Sequence, residues 1–387
     1  MNDQIYLDYA ATTPIDPRVS GYMLECMSEF GNPASSSHSF GAKAQVLVDH
    51  AAQDVAELIS ATAEELVWTS GATESNNLAI AGAAQFHRMR GEHIVTTSIE
   101  HKSVLACCEW LISQGFEVSY VAPDKFGQID PYAVAAAIRP DTSVVSVMHA
   151  NNETGVIQDV GTIGSICRDH DVIFHVDAAQ SFGKLPISVR EQNIDLLSVN
   201  AHKACGPKGI GALYMNSERI RRVTPILHGG VQQRGLRPGT LPVHQIAGIG
   251  AAAHILADEM TAEVARIQAQ RDRLWAGIRE IPGVLLNGAE DNRLCSILNV
   301  SVGYVEGESL LYSLADLAVS SGSACNSAVD EPSYVLRSLG RSDQLAEASI
   351  RFSLGRFTTD GEVRQAIRSF RLAVSHLHSL SPLIEDL

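Results

Sequence analysis

Lys203 is the residue in this sequence best placed for covalent chemistry. It lies in Asn200-Ala201-His202-Lys203, just ahead of Gly206-Pro207. Apolar runs at 195–199 and 211–215 flank this turn and are short enough to be buried strands. An amine held between core strands is costly to bury unless it is paired or neutralised. A Schiff base with an aldehyde is one such neutralisation. A single turn lysine is ordinarily solvated, so its companions decide. Asp177 ends the run 172–176, where a carboxylate could pair with the protonated nitrogen of a pyridine ring and keep that ring an electron sink. It could equally cap a helix. Gln180, three residues on, could hydrogen-bond a phenolic oxygen. His101 titrates near neutrality, which suits ring stacking and proton shuttling. Ser70-Gly71-Ala72-Thr73 has the small residues of a phosphate cradle at a helix start, or of an ordinary cap.

Two further residues stand apart. Arg351, in Ile350-Arg351-Phe352-Ser353, is a lone cation among β-type residues. A buried guanidinium wants a fork-shaped anion, either a substrate carboxylate or an internal carboxylate. Cys325, in Ser323-Ala324-Cys325-Asn326-Ser327, sits among small polar residues typical of an accessible loop, where a thiol can ionise and react. The chain has 7 cysteines. That number is odd and no Cys-x-x-Cys pair occurs, which argues against a disulfide framework or zinc site. The other six should be small buried hydrophobes.

Strands and helices must alternate to position these groups. Candidate strands are 66–69, 93–97, 117–121, 143–148 and 172–176. Candidate helices are 17–30, 40–59, 102–114, 131–138 and 160–170. Continuous apolar strands alternating with helices predict a largely parallel sheet covered on both faces. Ligands on such sheets collect at the carboxyl ends of the strands, where Thr73, His101, Asn152, Asp177 and Gln180 fall. A long helical region at 243–281 and a strand at 295–302 open a smaller α+β lobe. The expected division is a large domain at 16–250, with 1–15 and 251–387 forming the small one.

Composition excludes other classes. The net charge of −15 disfavours direct binding to nucleic acid or anionic lipid. No apolar stretch reaches about 18 residues, so no transmembrane helix is expected. Met1-Asn2-Asp3-Gln4 does not open a secretory signal, and a cytoplasmic protein is expected. Gly248-Ile249-Gly250 imitates a dinucleotide fingerprint but lies in a helical region, and no P-loop string occurs, since neither Gly183-Lys184-Leu185 nor Pro207-Lys208-Gly209 meets that pattern.

Taken in order, the motifs resemble a known family. Leu7-Asp8-Tyr9-Ala10-Ala11-Thr12-Thr13-Pro14, Ser70-Gly71-Ala72-Thr73-Glu74-Ser75, Glu100-His101, Asn151-Asn152-Glu153-Thr154-Gly155, Asp177-Ala178-Ala179-Gln180, His202-Lys203, Arg237-Pro238-Gly239-Thr240 and Ser321-Gly322-Ser323-Ala324-Cys325 are similar to those of the NifS/IscS cysteine desulfurases. These are class V, fold type I enzymes of pyridoxal 5'-phosphate. The resemblance implies an α/β fold with a mostly parallel, seven-stranded type of sheet plus a smaller α+β domain. It implies that Lys203 carries the cofactor, Asp177 and Gln180 hold its ring, and His101 stacks on it. Thr73, with Ala72 beside it, His202 and the Asn200 side chain would hold the phosphate, and Thr240 would reach it from a neighbouring subunit of a homodimer. Asn152 and Arg351 would bind the carboxylate of L-cysteine. Cys325 would take the sulfur and pass it to an acceptor protein.

Two departures bear on these expectations. The family usually has serine where this chain has Asn200, whose amide can still donate. Its housekeeping members carry a longer carboxyl-terminal tail, whereas this chain ends Leu383-Ile384-Glu385-Asp386-Leu387. A specialised acceptor is therefore expected beside general iron–sulfur cluster assembly, such as tRNA thiolation or DNA phosphorothioation machinery. The rival readings are a selenocysteine lyase or another fold type I enzyme, and a sulfur-carrier scaffold without catalysis.

Overall fold

The period of the apolar residues sets the elements, and their order sets the layers. The computed structural model describes residues 4–220, 222–321 and 331–381. The expected nucleophile Cys325 and the carboxyl-terminal residues 383–387 lie outside them. An arm strand β1 (Ile5–Tyr6) precedes helices α1 (Pro17–Cys26) and α2 (Ser39–Leu58). Then come β2 (Leu66–Thr69), α3 (Ala72–Phe86), β3 (His93–Thr97), α4 (Lys102–Ser113), β4 (Glu117–Val121), α5 (Pro131–Ala137), β5 (Thr142–Met148), α6 (Val160–Asp169), β6 (Ile173–Asp177), β7 (Leu196–Asn200) and β8 (Gly211–Met215).

These strands form one seven-stranded sheet in the order β2-β8-β7-β6-β5-β3-β4. Only β8 runs against its neighbours, so the sheet is mostly parallel as expected. Every residue of β5, β6 and β7 is buried, which explains why their sequences read as continuous runs rather than alternating ones. Helix α3 packs on the sheet through Ala79, Ala83 and Ala84, whose small side chains permit a close approach. Asp177 is the last residue of β6 rather than the first after it, one register step from the sequence reading.

The second half of the chain starts with the long α7 (Val243–Ile278), followed by β9 (Val284–Leu286), β10 (Ile297–Val302), α8 (Gly307–Ser313), β11 (Leu317–Ala318), β12 (Ser320–Ser321), α9 (Tyr334–Ser338), α10 (Asp343–Glu347), β13 (Ser349–Ser353) and α11 (Asp360–Leu380). β12, β13, β10 and β9 make an antiparallel sheet, and β1 pairs in parallel with β11. The first half of α7 buries Ile246, Ile249 and Leu256 in the core of the large sheet. Its second half buries Ile267, Leu274 and Ile278 with Val300, Phe352 and Phe370 in a separate core. Among the described residues no helix is long and apolar enough to cross a membrane.

A buried ionic junction joins the two halves. Asp16 caps α1 and accepts from Arg18 and, at 2.7 Å, from Arg356, which also reaches Glu263 of α7. Hydrogen bonds from Arg18 lead in holding the Asp16 carboxyl well below the usual carboxylate range, with burial opposing them. A depressed folded-state pKa gives stability that is complete above the unfolded value of about 3.9 and drains as pH falls toward the folded value. Asp16→Asn keeps the cap and removes the charge. We expect it to cost about 2–3 kcal/mol near neutrality, with the deficit shrinking below about pH 4. Thermal melts of both proteins at the two pH values check this. An equal deficit at each would refute it.

Candidate active site

The carboxyl ends of β2, β3, β5, β6 and β7 line one edge of the large sheet, and a cavity of about 710 Å³ opens there. Ala72, Thr73, His101, Asn152, Asp177, Gln180, Asn200, His202, Lys203 and Arg351 all line it. Residues as far apart in the chain as Ala72 and Arg351 thus line one space. Thr240 is exposed and is not part of this lining.

Each wall has a physical source. Lys203 sits on the turn after β7, where its backbone N–H donates to Asn200 Oδ1 at 3.3 Å. The amide that stands in for the expected serine therefore shapes the lysine turn as well as lining the cavity. The amino-terminal arm clamps the same turn, since Thr13 N and Oγ1 both donate to the His202 carbonyl at 2.8 Å. Asp177 is 5 % exposed. Its Oδ1 accepts from Ala179 N at 2.9 Å and its Oδ2 from Asn76 Nδ2 at 2.8 Å. Gln180 donates through Nε2 to the Ala10 carbonyl, and its buried Oε1 has no partner among the described residues. Burial lowers the pKa of His101; Asp177 opposes this, while Lys203 and Lys102 add to it. Burial, then Lys203, Lys208 and Lys184, bring His202 down to about 4, so both rings are neutral at pH 7.

The opposite wall is the start of α3. Its first N–H groups have no intrahelical partners and carry the positive end of the helix dipole. Gly71 supplies the φ of +151° that turns β2 into this helix. A Cβ on Gly211 would meet Gly71 Cα at 2.8 Å and Val199 O at 2.5 Å, so any side chain there would push the cradle out of place.

Arg351 closes the third side. Its Nη1 donates to the Asn152 carbonyl at 2.8 Å, and its Nη2 to Asp8 Oδ1 at 2.8 Å and Ser320 Oγ at 3.1 Å. The buried Nε has no partner among the described residues. The guanidinium therefore already makes an internal salt bridge, with Asp8 of the arm, while facing the cavity. Beside it Glu153, raised to about 7 by burial, accepts from Ser333 Oγ. Ser320 and Ser333 flank the segment that contains Cys325, so both roots of that segment are fastened to the Arg351 wall.

Sequence reasoning assigned no role to Asp8, Asn76, Ser103, Glu153 or Lys184. Lys184, noted only as failing a P-loop pattern, donates to the carbonyls of Gln180 and Lys203 at 3.1 Å each and ties the two loops together. The six described cysteines are all buried and unbridged. Burial raises Cys107 to about 12 and Cys295 to about 11, which leaves little thiolate near neutrality.

The constellation fits pyridoxal phosphate. It offers an amine, a buried carboxylate opposite, an amide with an unpartnered oxygen and a helix start for a phosphate. Comparison with known proteins agrees. The class-V aminotransferase family matches residues 5–365. "Cysteine desulfurase IscS" of Pectobacterium atrosepticum is 54% identical over 384 residues, covering 98% of this chain and 95% of that protein. A solved "NIFS-LIKE PROTEIN" superposes with a TM-score of 0.89 at 33% identity, covering 97% of this chain and 100% of that one. The structure "SspA in complex with cysteine" gives a TM-score of 0.82 at 38% identity, covering 92% and 100%. On the evidence of its cavity and of these matches, the chain belongs to the class-V aminotransferase family, in its NifS/IscS cysteine desulfurase group.

Proposed function

We propose that this protein is a pyridoxal phosphate-dependent cysteine desulfurase that converts L-cysteine to L-alanine and leaves the sulfur on Cys325 as a persulfide. The observation that carries the reading is the convergence of Lys203, Asp177, His101 and Arg351 on one cavity beside the start of α3. When bound, pyridoxal phosphate supplies an electron sink that weakens the Cα–H and Cβ–S bonds of an attached amino acid.

The chain's own residues do the rest. Lys203 Nζ is the covalent anchor, and the α3 start with Thr73, His202 and Asn200 receives the phosphate. Asp177 would favour a protonated ring nitrogen, and the Gln180 amide would serve the ring's phenolic oxygen. Arg351 and Asn152 would take the substrate carboxylate at the cavity that His101 also lines. His101 Nε2 holds or gives the proton that moves. The Cys325 thiolate attacks the substrate sulfur: a sulfur–sulfur bond forms as the Cβ–S bond breaks, and the carbon gains a proton. One thiol and one cysteine thus give one persulfide and one alanine, with no outside oxidant.

The reading extends to partners. Exposed Thr240 suits a phosphate contact with a second subunit of a homodimer. The persulfide calls for an acceptor protein, in iron–sulfur assembly, tRNA thiolation or DNA phosphorothioation. A division into 16–250 against 1–15 with 251–387 is supported in kind by the two separate apolar cores met by α7, although the changeover falls after Leu256 rather than at 250. The deciding experiment incubates the holoenzyme with L-cysteine and dithiothreitol and measures alanine and sulfide together. Equal yields are expected. Pyruvate in place of alanine, or a reaction confined to selenocysteine, would overturn the reading.

A further inference from the structure

Behind the cavity wall, a line of hydrogen bonds runs from Asp177 to His101 through two side chains, Asn76 and Ser103, that are not part of the cavity lining. Asn76, on α3 and fully buried, donates through Nδ2 to Asp177 Oδ2 at 2.8 Å and to Ser103 Oγ at 2.9 Å. Ser103 Oγ lies 2.8 Å from His101 Nδ1, and Ser103 N donates to the same Nδ1 at 3.2 Å.

The direction of every proton in this line can be deduced. An amide nitrogen donates and cannot accept. Turning the Asn76 amide over would set its oxygen against the Asp177 carboxylate, so the nitrogen faces that side. The Ser103 oxygen accepts from Asn76; since the Ser103 N–H already donates to His101 Nδ1, the hydroxyl can meet Nδ1 only as a donor, with its single proton pointing there. Nδ1 then faces two donors, the Ser103 hydroxyl and the Ser103 backbone N–H, and has no room for a proton of its own.

We propose that Asn76 and Ser103 are positioning residues that fix His101 as the tautomer with its proton on Nε2, leaving Nδ1 a permanent acceptor. The inference rests on the reading of His101 as the proton carrier and says which nitrogen does the carrying. Protonating Nδ1 would turn a proton against two donors, so the same contacts disfavour the imidazolium. The charged groups around the ring are Asp177 on β6, which favours the cation, and Lys203 and Lys102, which oppose it. The adjacent Glu100 is raised to about 8 by burial and is mostly uncharged at neutral pH. Ser103 therefore acts with the lysines, and Asn76 fixes how Ser103 acts.

The test is nitrogen-15 NMR of the holoenzyme labelled at histidine, with the His101 signals assigned by their loss in His101→Gln. The wild type should show a bare Nδ1 and a protonated Nε2 with one fixed tautomer. Ser103→Ala should raise the midpoint of the His101 titration by roughly half a unit or more and move the acid limb of kcat/KM with it. Ser103→Thr, which keeps the hydroxyl, should restore both, while Asn76→Leu should produce a mixture of tautomers. A protonated Nδ1 in the wild type, or an unmoved midpoint in a folded Ser103→Ala holoenzyme, would overturn the proposal. The ring-nitrogen readout needs no turnover, so failure of desulfuration would refute the function without touching this inference.

Discussion

Lys203→Ala should abolish desulfuration, lowering kcat by a factor on the order of 10³ or more, and should remove the absorbance near about 420 nm from the purified protein. The Lys203 side chain is only half-buried and faces the cavity, so the fold should survive its removal. What is lost is the amine on the turn after β7, beside Asn200 and His202, in a space otherwise arranged for a ring and a phosphate. Lys208 also lines the cavity, and Lys184 approaches from beneath. Lys184 cannot substitute on geometry, because its Nζ is engaged by the carbonyls of Gln180 and Lys203. Absorbance spectra before and after adding pyridoxal phosphate, with alanine release, measure the effect. Normal turnover by Lys203→Ala would remove the basis of the functional reading.

Cys325→Ser should have an effect of similar size but of a different kind. The variant should bind pyridoxal phosphate normally and change its spectrum on adding L-cysteine, because Lys203, Asp177 and Arg351 are intact. It should release no sulfide, and it should lack the mass increase of about 32 Da that a persulfide gives the wild type after brief exposure to cysteine. No other described cysteine can take over, since all six are buried and burial raises their pKa wherever a shift is resolved. An aminotransferase would be indifferent to this change, so undiminished turnover in Cys325→Ser would favour that rival.

The sheet was legible in the sequence because its strands are buried on both faces, and runs such as 143–148 declare themselves without alternation. The residues at strand ends were legible because a parallel sheet gathers its carboxyl ends at one edge. The partner of Arg351 was not. Asp8 and Arg351 are 343 residues apart, and nothing in spacing or period links an arm to a late strand. Asn76 was invisible for another reason: an asparagine inside Ser75-Asn76-Asn77 reads as polar surface, and only the packing of α3 against β6 turns it inward. Lys184 was discounted because the pattern sought around it was a phosphate loop, whereas its work is done on two backbone carbonyls.

The short pairing of β1 with β11 has a practical consequence. Ile5 is three residues from Asp8, about 10 Å of extended chain, and Asp8 lines the cavity. A peptide spliced ahead of the arm, such as an affinity handle or a reporter, would therefore be tethered close to that cavity. Such a fusion would alter hand-off to macromolecules before it altered release of sulfide to a small thiol. Delivery assays on this enzyme therefore call for an unencumbered leading end.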